Sequence, residues 1–550
     1  MLVADSPAAY GFDPGRYPSW RTGQRQVIQQ IVDWYLDPDS PKVLLLEAPT
    51  GVGKSLIAGA AIVHLRDQEQ RLNHGVITTT TLNLQRQYMR DTLQDHARSA
   101  WGRSNFDCLV LPVNVAEAPC QHGYKCNVRD DCDYYHERDQ AHLASIAVVN
   151  TAFYLVTSNY AETSRVLIEE DTGTVGGEAR GHLFDQAELA IHDEAHLLEK
   201  AVQSLVEVDF SRSFFTSLGI EFPQTSNYGD WHAWLDEHTP TVEALAHAYR
   251  SEARKLAQMG QMPQDPQGRR AVTQHGNMVR AFNEVLPSRP LIEPTDFGVK
   301  FRAVWGKDFA PQYLWDHAHK HLLMSATIIH PEFIAESLGL QRHEWAYLEM
   351  PSPFHPMRRR IVYNPVLKVS YRTTPEEFAV LIRTMDDIIA DTHMRQNGII
   401  HSVSYARAKQ ILATSRHRGR MIAHAQGKGE KERAIGQFIA APPGSILVSP
   451  AVGIGEDFGR GDNCRFQIFP KYPIPYMGDP VVKARAEEDR ESMWFEADMA
   501  FVQAVGRGMR SEDDACVSYV LDSSAARQLY KLPQSIKDAI IDRRPARQAG

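Results

Sequence analysis

Residues 48–55 have the types and the spacing of a loop that binds phosphate, because they read A-P-T-G-V-G-K-S. Gly51 and Gly53 leave room for backbone N–H groups to approach phosphate oxygens. Lys54 is placed to reach the β- and γ-phosphates of a nucleotide, and the Ser55 hydroxyl can ligate Mg²⁺. The chemistry that this octapeptide predicts is therefore the binding of ATP with Mg²⁺.

The segments on either side of the loop supply the context that such chemistry requires. Residues 42–46 form a short apolar run typical of a buried parallel strand, and residues 56–63 have the composition of a helix. A strand, a Gly-rich turn and a helix bring backbone donors and the positive helix end to one point. A chance Gly-Lys-Ser turn is the alternative. The context favours the phosphate loop, in which Thr50 is a further candidate for contact with ATP and Mg²⁺.

A second apolar run, residues 189–192, is predicted to be a strand that ends at Asp-Glu-Ala-His, residues 193–196. Asp193 can hold Mg²⁺ directly or through water, and Glu194 can polarise the water that attacks the terminal phosphate. The same four residues are common on ordinary helices. Their position at the end of a strand that follows a phosphate loop indicates a site that hydrolyses ATP.

Two further predicted strands end in hydroxyl side chains. One ends in Ser325 and Thr327, which suit a relay between nucleotide and nucleic acid. The other ends in a run of threonines that includes Thr79 and is followed by Gln85, and such side chains make good contacts with a phosphate backbone. Each segment alone is more often ordinary core or surface. Their order along the chain makes them support one another.

Residues 503–510 read Q-A-V-G-R-G-M-R and place Arg507 and Arg510 three residues apart, on one side of a predicted helix. Arginines in this position can meet the charge that develops on a γ-phosphate. Gln503 opens the same segment and is a third catalytic candidate. An ordinary surface or core helix is the alternative for this segment by itself.

Four cysteines lie between the loop and the acidic box: Cys108, Cys120, Cys126 and Cys132. Four thiolates fit an iron–sulfur cluster, and they also fit a tetrahedral zinc ion. The spacing C-x11-C-x5-C-x5-C lacks the paired C-x2-C knuckles of a zinc ribbon and so favours the cluster, with free thiols as the third alternative. Cys464 and Cys516 are far from these four and are expected to be isolated, small core residues.

The composition is that of an ordinary globular protein, and 550 residues are too many for one hydrophobic core. The net charge of −9 does not indicate a nucleic-acid binder, although a motor can confine its basic side chains to a channel. We see no apolar run as long as a membrane span and no secretory pattern at the N-terminus. A cytoplasmic location is the resulting expectation.

These motifs resemble those of superfamily 2 helicases and, within that group, of the XPD/DinG family. The family's nucleotide-binding and coupling motifs match residues 48–55, 193–196, 325–327 and 503–510. Residues 102–108, 147–150 and 350–354 are similar to the stretch before the first cluster cysteine, the returning strand and the start of the second motor domain. The cysteine spacing is closer to DinG than to XPD. Ile454 is a departure, because the family usually has Glu there.

The resemblance implies an α/β fold with two RecA-like P-loop motor domains, the first of which carries an iron–sulfur insert and a helical arch insert. Motor domain 1 would then comprise residues 1–99, 148–202 and 301–350. The cluster insert would span residues 100–147, the arch-like insert residues 203–300 and motor domain 2 residues 351–550. Inside the first motor domain, residues 172–181 are expected to form a Gly-rich loop. In the arch, Trp231 and Trp234 are expected to be core residues rather than platforms for bases.

The resemblance also assigns cofactors and roles. It implies ATP, Mg²⁺ and a [4Fe–4S] cluster held by the four clustered cysteines. Gln24, upstream of the phosphate loop, is the residue chosen to recognise adenine. The residues expected to couple the nucleotide to nucleic acid are His196, Ser325, Thr327, Thr79, Gln85 and Asn150.

The activity implied is that of an ATP-dependent DNA helicase moving 5′→3′ on a single strand. Its partners would be single-stranded DNA, tailed or forked duplexes and possible DNA–RNA hybrids, with no membrane. The alternative is a translocase that remodels R-loops or nucleoprotein without unwinding duplex. A nuclease and a motor uncoupled by Ile454 are less favoured. Neither the pathway nor any protein partner follows from the residues.

Overall fold

The computed structural model describes the chain except for residues 50, 123–125, 161, 169–174, 185, 258, 260, 262–264, 353, 428, 451–462, 510–513 and 544–550. Within the described part the strands are β1 (Val43–Glu47), β2 (Gly75–Thr79), β3 (Arg98–Ala100), β4 (Ile146–Asn150), β5 (Glu162–Ile168), β6 (Val175–His182), β7 (Ala187–Asp193), β8 (Val208–Ser211), β9 (Leu291–Thr295), β10 (Gly298–Arg302), β11 (Ala318–Ser325), β12 (Trp345–Glu349), β13 (Ile361–Leu367), β14 (Gly398–His401), β15 (Met421–Ala423), β16 (Ile446–Ser449), β17 (Phe466–Phe469), β18 (Val517–Asp522) and β19 (Ile540–Asp542).

The helices of the described part are α1 (Gln24–Leu36), α2 (Lys54–Asp67), α3 (Leu82–Asp91), α4 (Asp133–Leu143), α5 (Thr151–Tyr160), α6 (Leu198–Val206), α7 (Arg212–Ser217), α8 (Tyr228–Ala257), α9 (Pro266–Arg280), α10 (Ala310–Tyr313), α11 (Pro331–Ser337), α12 (Pro375–Thr392), α13 (Tyr405–Thr414), α14 (Glu430–Ile439), α15 (Pro480–Glu488), α16 (Arg490–Gly506), α17 (Ala526–Leu529) and α18 (Gln534–Lys537). The helix that follows the phosphate loop, α2, is buried along most of its length.

The first of the two predicted motor domains is built on a parallel sheet whose described strands follow the order β12-β1-β11-β7-β2-β4-β3. Its central strands are apolar runs such as residues 43–46, which are buried as expected of a sheet covered on both faces. Since the strands share one direction, the carboxyl ends of β1, β7 and β11 meet at one edge. Glu47 pairs in register with Ser325, and Asp193 pairs with Met324.

The second motor domain has a parallel sheet of its own, in the order β15-β16-β14-β17-β18-β13-β19 among the described strands. Its core includes Phe378, Ile400, Val448 and Ile468, contributed by a covering helix and three strands. The predicted fold class, an α/β chain with two RecA-like domains, is confirmed by these two sheets.

Two inserts interrupt the first sheet without changing its order. The chain leaves β3 at Ala100 and returns into β4 at Ile146, and these two strands are parallel neighbours. The second insert starts near β8 and ends at β10, and these strands pair antiparallel in the small sheet β8-β10-β9. The inserts lie against each other, because α8 contacts the short helical turn Pro119–His122.

The second insert has an aromatic core. Trp231 and Trp234 are 1% and 6% exposed, which confirms that they belong to this core. Phe210 stacks on Trp231 with ring centroids 6.3 Å apart. The Trp231 Nε1–H donates to the Thr225 carbonyl at 2.8 Å, and the Trp234 Nε1–H donates to the Glu221 carbonyl at 2.7 Å. Both indole donors are therefore satisfied inside the insert.

The predicted Gly-rich loop at residues 172–181 is wrong over most of its length. Residues 175–181 belong to β6, which pairs antiparallel with β5. Glycine disfavours strands only by a modest amount, and the hydrogen bonds of a hairpin outweigh this local preference. Residues 172–174 lie outside the described part of the chain.

Cys464 and Cys516 are buried core residues, as predicted, but they are not isolated from each other. Their Sγ atoms lie 4.0 Å apart in the second motor domain. Gly508 packs directly against this pair, since a Cβ added there would come within 2.4 Å of the Cys516 side chain. A larger residue at Gly508 would collide with the Cys516 side chain.

Three polar side chains form a buried chain across the middle of the first sheet. The Thr78 hydroxyl contacts His192 Nδ1 at 2.9 Å, and His192 Nε2 contacts His321 Nδ1 at 3.1 Å. Burial lowers the pKa of His192 to about 3. Burial, followed by His192 and Lys42, lowers the pKa of His321 as well. Both imidazoles are therefore neutral at pH 7.

This chain predicts that the first motor domain loses stability in acid. Between about pH 6.5 and pH 3 the two histidines are protonated in the unfolded state but stay neutral in the folded state. The free energy of unfolding therefore falls as the pH is lowered. Each histidine contributes up to about 1.4 kcal/mol per pH unit. We expect the thermal midpoint to drop less between pH 7.5 and pH 5 in His321→Gln than in the wild type. The exposed His319→Gln on the same strand is the control, and an equal drop in all three proteins would contradict the prediction.

Candidate active site

The phosphate loop begins directly after β1 and ends at the first residue of α2. Gly51 and Gly53 have φ angles of +80° and +83°, a conformation that side chains with a Cβ rarely adopt. Gly53 also has no room for a Cβ, which would lie 2.7 Å from Gln24 Nε2. Lys54 is the first residue of α2, with Ser55 after it, so both side chains start where the positive helix end is located. Thr50 lies outside the described residues.

Gln24 is fully buried behind this loop instead of being presented to the cleft. Its Nε2 donates to the Val52 carbonyl at 2.7 Å, and its Oε1 accepts from the Arg21 N–H at 2.8 Å. Both ends of the amide are thus used inside the protein, and they tie the start of α1 to the phosphate loop. Contact between Gln24 and adenine stays a prediction.

Asp193 and Ser55 are held by a tyrosine that the sequence motifs did not reveal. Tyr88 on α3 is fully buried, and its hydroxyl donates to Asp193 Oδ2 at 2.8 Å. The same hydroxyl interacts with the Ser55 side chain. The two predicted Mg²⁺ ligands therefore converge on one fixed phenol. Tyr88 is 105 residues from Asp193 in the chain, so no local pattern connects them.

The electrostatics of Asp193 suit a cation site. Burial, followed by the neighbouring Glu194 carboxylate, raises the pKa of Asp193 to about 6, against the lowering influence of Lys54 and Tyr88. A buried carboxylate in this state is stabilised by added positive charge. Mg²⁺ would supply that charge, and the oxygen donors of Asp193 and Ser55 are of the type that Mg²⁺ prefers.

Glu194 has a strained backbone, with φ of +55°, in the left-handed region that few non-glycine residues occupy. The turn points its side chain, 27% exposed, into the cleft that Lys54 also lines. His196 Nδ1 lies 3.5 Å from Glu194 Oε2. This position suits a carboxylate that orients water for attack on a bound phosphate.

A chain of hydrogen bonds crosses from the first motor domain to the second. His196 Nδ1 contacts the Ser325 hydroxyl at 2.9 Å, and Ser325 contacts the Thr327 hydroxyl at 3.3 Å. The Gln503 Nε2 group then donates to Thr327 Oγ1 at 3.2 Å. These are four of the residues that the motifs singled out. Throughout, the relay means His196, Ser325, Thr327 and Gln503.

The histidine of the relay is electrically neutral at pH 7. Burial lowers the pKa of His196 to about 4, against the raising influence of Glu194. One of its ring nitrogens is thus a donor and the other an acceptor. Among the described residues its Nε2 has no hydrogen-bond partner.

The cleft between the two domains is lined from both sides. The first domain contributes Lys54, Glu194 and Thr327, and the second contributes Gln503 and Arg507. The predicted catalytic residues of both halves are thus brought together, with the exception of Arg510, which lies outside the described part. Ile454 and residues 455–458 lie outside it too.

Glu47, the last residue of β1, is a second feature of the cleft that the motifs missed. Burial raises its pKa to about 7, the Tyr347 hydroxyl donates to it at 2.8 Å, and Glu349 lies beside it in register on β12. Its position directly before the phosphate loop was the only available signal. The cleft therefore contains a carboxyl group that titrates near neutral pH.

Two predicted nucleic-acid contacts are wrong for this conformation. Thr79 and Gln85 are fully buried, so neither side chain can touch a strand. Gln85 Nε2 donates to the Ser99 hydroxyl and to the carbonyls of Ala100 and Val148, at 2.8 to 3.0 Å. The amide joins α3 to the sheet edge, where a buried polar group needs partners.

Asn150 is half-buried at the carboxyl end of β4, and its Oδ1 accepts from the Ala152 N–H at 2.9 Å. It lines a groove of about 410 Å³ with Thr80, Thr151 and Lys200. This groove, called the domain 1 groove below, runs along the carboxyl edge of the sheet. It offers hydroxyl, amide and ammonium groups, which are the donors that bind phosphate backbones.

Two further thiols of the cysteine insert, those of Cys126 and Cys108, lie near enough to Cys120 to affect its pKa. Burial raises the pKa of the Cys120 thiol, and the nearby Cys126 and Cys108 add to this effect. Cys132 is buried just before α4. Among the described residues no group of three or more cysteine, histidine or acidic side chains is arranged to hold a metal ion. The donor chemistry fits a cluster, while the thiols are not drawn together as ligands.

Comparison with known proteins gives three similarities. Residues 390–539 match the family described as Helicase C-terminal domain. A curated relative, the ATP-dependent DNA helicase YoaA of Escherichia coli (strain K12), is 24% identical over 205 residues. That alignment spans 35% of this chain and 31% of YoaA, so the chain covers about a third of that relative's length.

The third similarity is to solved structures. An XPD helicase has a TM-score of 0.59 at 14% identity, with 95% of this chain and 99% of the other covered. Xpd4 of S. tokodaii has a TM-score of 0.56 at 12% identity, with 95% and 100% covered. At these identities the similarity shows a shared fold. In the described part of the chain no helix is both long and apolar enough to cross a membrane.

The position of Tyr88 generates a prediction about Mg²⁺. Tyr88→Phe keeps the buried ring and removes the hydroxyl that orients Asp193 and Ser55. We expect ATP hydrolysis to need more Mg²⁺ and kcat to fall roughly tenfold, the cost of one hydrogen bond to a charged group. The measurement is a Mg²⁺ titration of ATPase activity. The matched control is Tyr249→Phe, a buried tyrosine of the second insert, and identical titrations for both variants would refute this role.

Proposed function

We propose that this chain, which belongs to the XPD/DinG-type superfamily 2 helicases, uses ATP hydrolysis to move along single-stranded DNA and to separate the strands of a duplex. The observation that carries the proposal is the relay. It joins the acidic box of one domain to Gln503 of the other, directly beside the cleft. Such a connection is what a motor needs if chemistry in the cleft is to move its two domains.

In the proposed reaction the first domain binds ATP and activates the attacking water. Lys54 would hold the β- and γ-phosphates, while Ser55 and Asp193 would hold Mg²⁺, which when bound would stabilise charge on the phosphates. Glu194 orients the attacking water and accepts its proton. Arg507, together with Arg510, stabilises the charge that develops on the γ-phosphate from the second domain.

The domain 1 groove is the proposed path of the nucleic acid on the first domain. Asn150 and Thr80 line it at the sheet edge, and Lys200, four residues after the acidic box, lines it too. The second insert contacts the cysteine insert, and we propose that the two together partly encircle the strand. A 5′→3′ direction and action on tailed duplexes, forks or DNA–RNA hybrids are proposed from the resemblance.

We further propose a relation closer to DinG than to XPD, from the cysteine spacing, membership of the DEAH-box subclass, and a cytoplasmic location. A [4Fe–4S] cluster held by Cys108, Cys120, Cys126 and Cys132 is part of this proposal. When bound, it would staple an insert that has little regular structure of its own. The proximity of Cys126 and Cys108 to Cys120 supports the assignment.

The cluster is tested on protein purified without oxygen. We expect broad visible absorption, with about four iron and four sulfide per chain, as a [4Fe–4S] cluster requires. Cys132→Ser should lose both, whereas Cys464→Ser, in the second motor domain, should keep them. Zinc at one ion per chain, or no metal in the wild type, would refute the cluster.

The helicase activity is tested with duplexes that carry a single-stranded tail at the 5′ or at the 3′ end. We expect unwinding from the 5′ tail, dependent on ATP and absent in Lys54→Ala, which lacks the ammonium that holds the phosphates. Strand separation is followed by loss of energy transfer between dyes on the two strands. The protein with the substitution should keep its fold, as judged by thermal unfolding.

Each outcome of this experiment has a meaning. Unwinding from the 3′ tail alone would contradict the proposed direction. ATPase activity stimulated by single strands, without unwinding of either duplex, would replace the helicase with the translocase that remodels R-loops or nucleoprotein. Cleavage that needs metal and survives Lys54→Ala would indicate a nuclease.

A further inference from the structure

A buried arginine lies where the two motor domains meet. Arg485, on α15 of the second domain, is 4% exposed. Its Nη2 bonds to the Glu199 carboxylate, and its Nη1 bonds to Glu496 Oε1 at 3.0 Å. Its Nε donates to the Val304 carbonyl at 2.9 Å, and its guanidinium lies over the Trp305 ring at 4.4 Å. Each nitrogen of the guanidinium thus makes a hydrogen bond, and one of its faces is covered.

The two carboxylates belong to the helices that carry the two halves of the cleft. Glu199 is in the first turn of α6, which begins at Leu198, two residues after His196 of the acidic box. Glu496 lies on α16, which also carries Gln503 and ends beside Arg507. One guanidinium therefore fixes the distance between these helices.

The charges around Arg485 are balanced, and those of Arg485 and Glu199 are largely removed from water. Burial raises the pKa of Glu199, while Arg485 and the Gly306 N–H, which donates at 3.1 Å, lower it. Lys200 Nζ lies 3.6 Å from the other oxygen of Glu496. Two cations thus face two carboxylates. In such a buried group, removal of one partner leaves a charge without compensation.

Lys200 connects this charge group to the domain 1 groove. Its side chain is 60% exposed and lines that groove as well as the small cavity that Arg485, Glu199 and Gln503 share. A phosphate that bound in the groove would draw Lys200 away from Glu496. Glu496 would then depend on Arg485 alone.

We propose that Arg485 is a positioning residue for ATP hydrolysis. It holds α6 and α16 at the spacing at which the hydrogen bonds of the relay form. When a nucleic acid strand binds beside Lys200, the resulting change at Glu496 reaches the cleft through Arg485. This role rests on the proposed function, because it requires that a strand occupies the domain 1 groove. Arg485 acts through Glu199 and Glu496 and touches neither the nucleotide nor the strand.

The test compares substitutions of Arg485 in the full-length chain. Arg485→Met keeps most of the side-chain volume and removes the charge, and Arg485→Lys keeps the charge with a single donor group. The matched control is Arg416→Met, which breaks the exposed pair of Arg416 with Asp387 in the same domain. ATPase rates are measured with and without a single-stranded oligonucleotide, and the Kd of a fluorescent ATP analogue is measured separately.

We expect Arg485→Met to lower kcat by on the order of 10- to 100-fold, the effect of misplaced catalytic groups. Stimulation by the oligonucleotide should be lost, while the Kd for the analogue stays within about twofold because the phosphate loop is intact. Arg485→Lys should recover part of the stimulation, and Arg416→Met should match the wild type. A purely structural arginine would change the thermal midpoint and leave kcat and stimulation of the folded protein unaltered, which would overturn the proposal.

Arg485→Met leaves two buried carboxylates without their partner and can fail to fold. The compensated variant Arg485→Met with Glu199→Gln and Glu496→Gln removes the charges together and is then measured in its place. It should fold and still lack stimulation, and normal stimulation in it would equally overturn the proposal. If the wild type itself shows no response to single strands, the proposed function fails instead, so the two failures are distinguishable.

Discussion

The parallel pairing of β1, β11 and β7 is the constraint on which the active site depends. It brings residues separated by up to about 280 positions to one edge of one sheet, with Glu47 beside Ser325 and Met324 beside Asp193. A shift of one residue in this register would turn Asp193 away from Lys54 and Ser55. The buried chain of Thr78, His192 and His321 crosses neighbouring strands of the same sheet and can be satisfied only in the observed register. A change of register would leave these polar atoms unpaired in the core, so they stabilise the register on which the cleft geometry depends.

Two groups of contacts between the two motor domains differ in their chemistry. The relay uses neutral groups at 2.9 to 3.3 Å, which exchange partners at low cost. The group around Arg485 uses buried charges, which are costly to separate. Neutral contacts lie next to the nucleotide cleft and charged contacts lie farther from it. The contacts of the relay are therefore easier to break than those around Arg485.

Local patterns predicted the strands and the motif residues because apolar runs and Gly-Lys-Ser turns are determined by residues that are close together in the sequence. They failed where burial decides the role of a polar residue. Gln85 has the chemistry of a phosphate contact, but its amide is needed inside, beneath Ala100 and Val148. Tyr88 has no motif, because its importance comes from a hydroxyl that meets Asp193 in three dimensions. Glu47 was visible in the sequence, but its pKa is raised by burial and by Glu349, which lies on a strand about 300 residues away, against the lowering influence of Tyr347.

The pairing of β8 with β10 has a consequence for how such chains diversify. The second insert leaves and rejoins the motor through strands that are hydrogen-bonded to each other, so its two ends are about 5 Å apart. A short turn could bridge that gap without disturbing a single strand of the motor sheet. The insert can therefore change in size and surface, or be exchanged by recombination, while the motor sheet stays the same. The aromatic core around Trp231 consists of residues of the insert alone, so the insert does not depend on the motor sheet for its hydrophobic core.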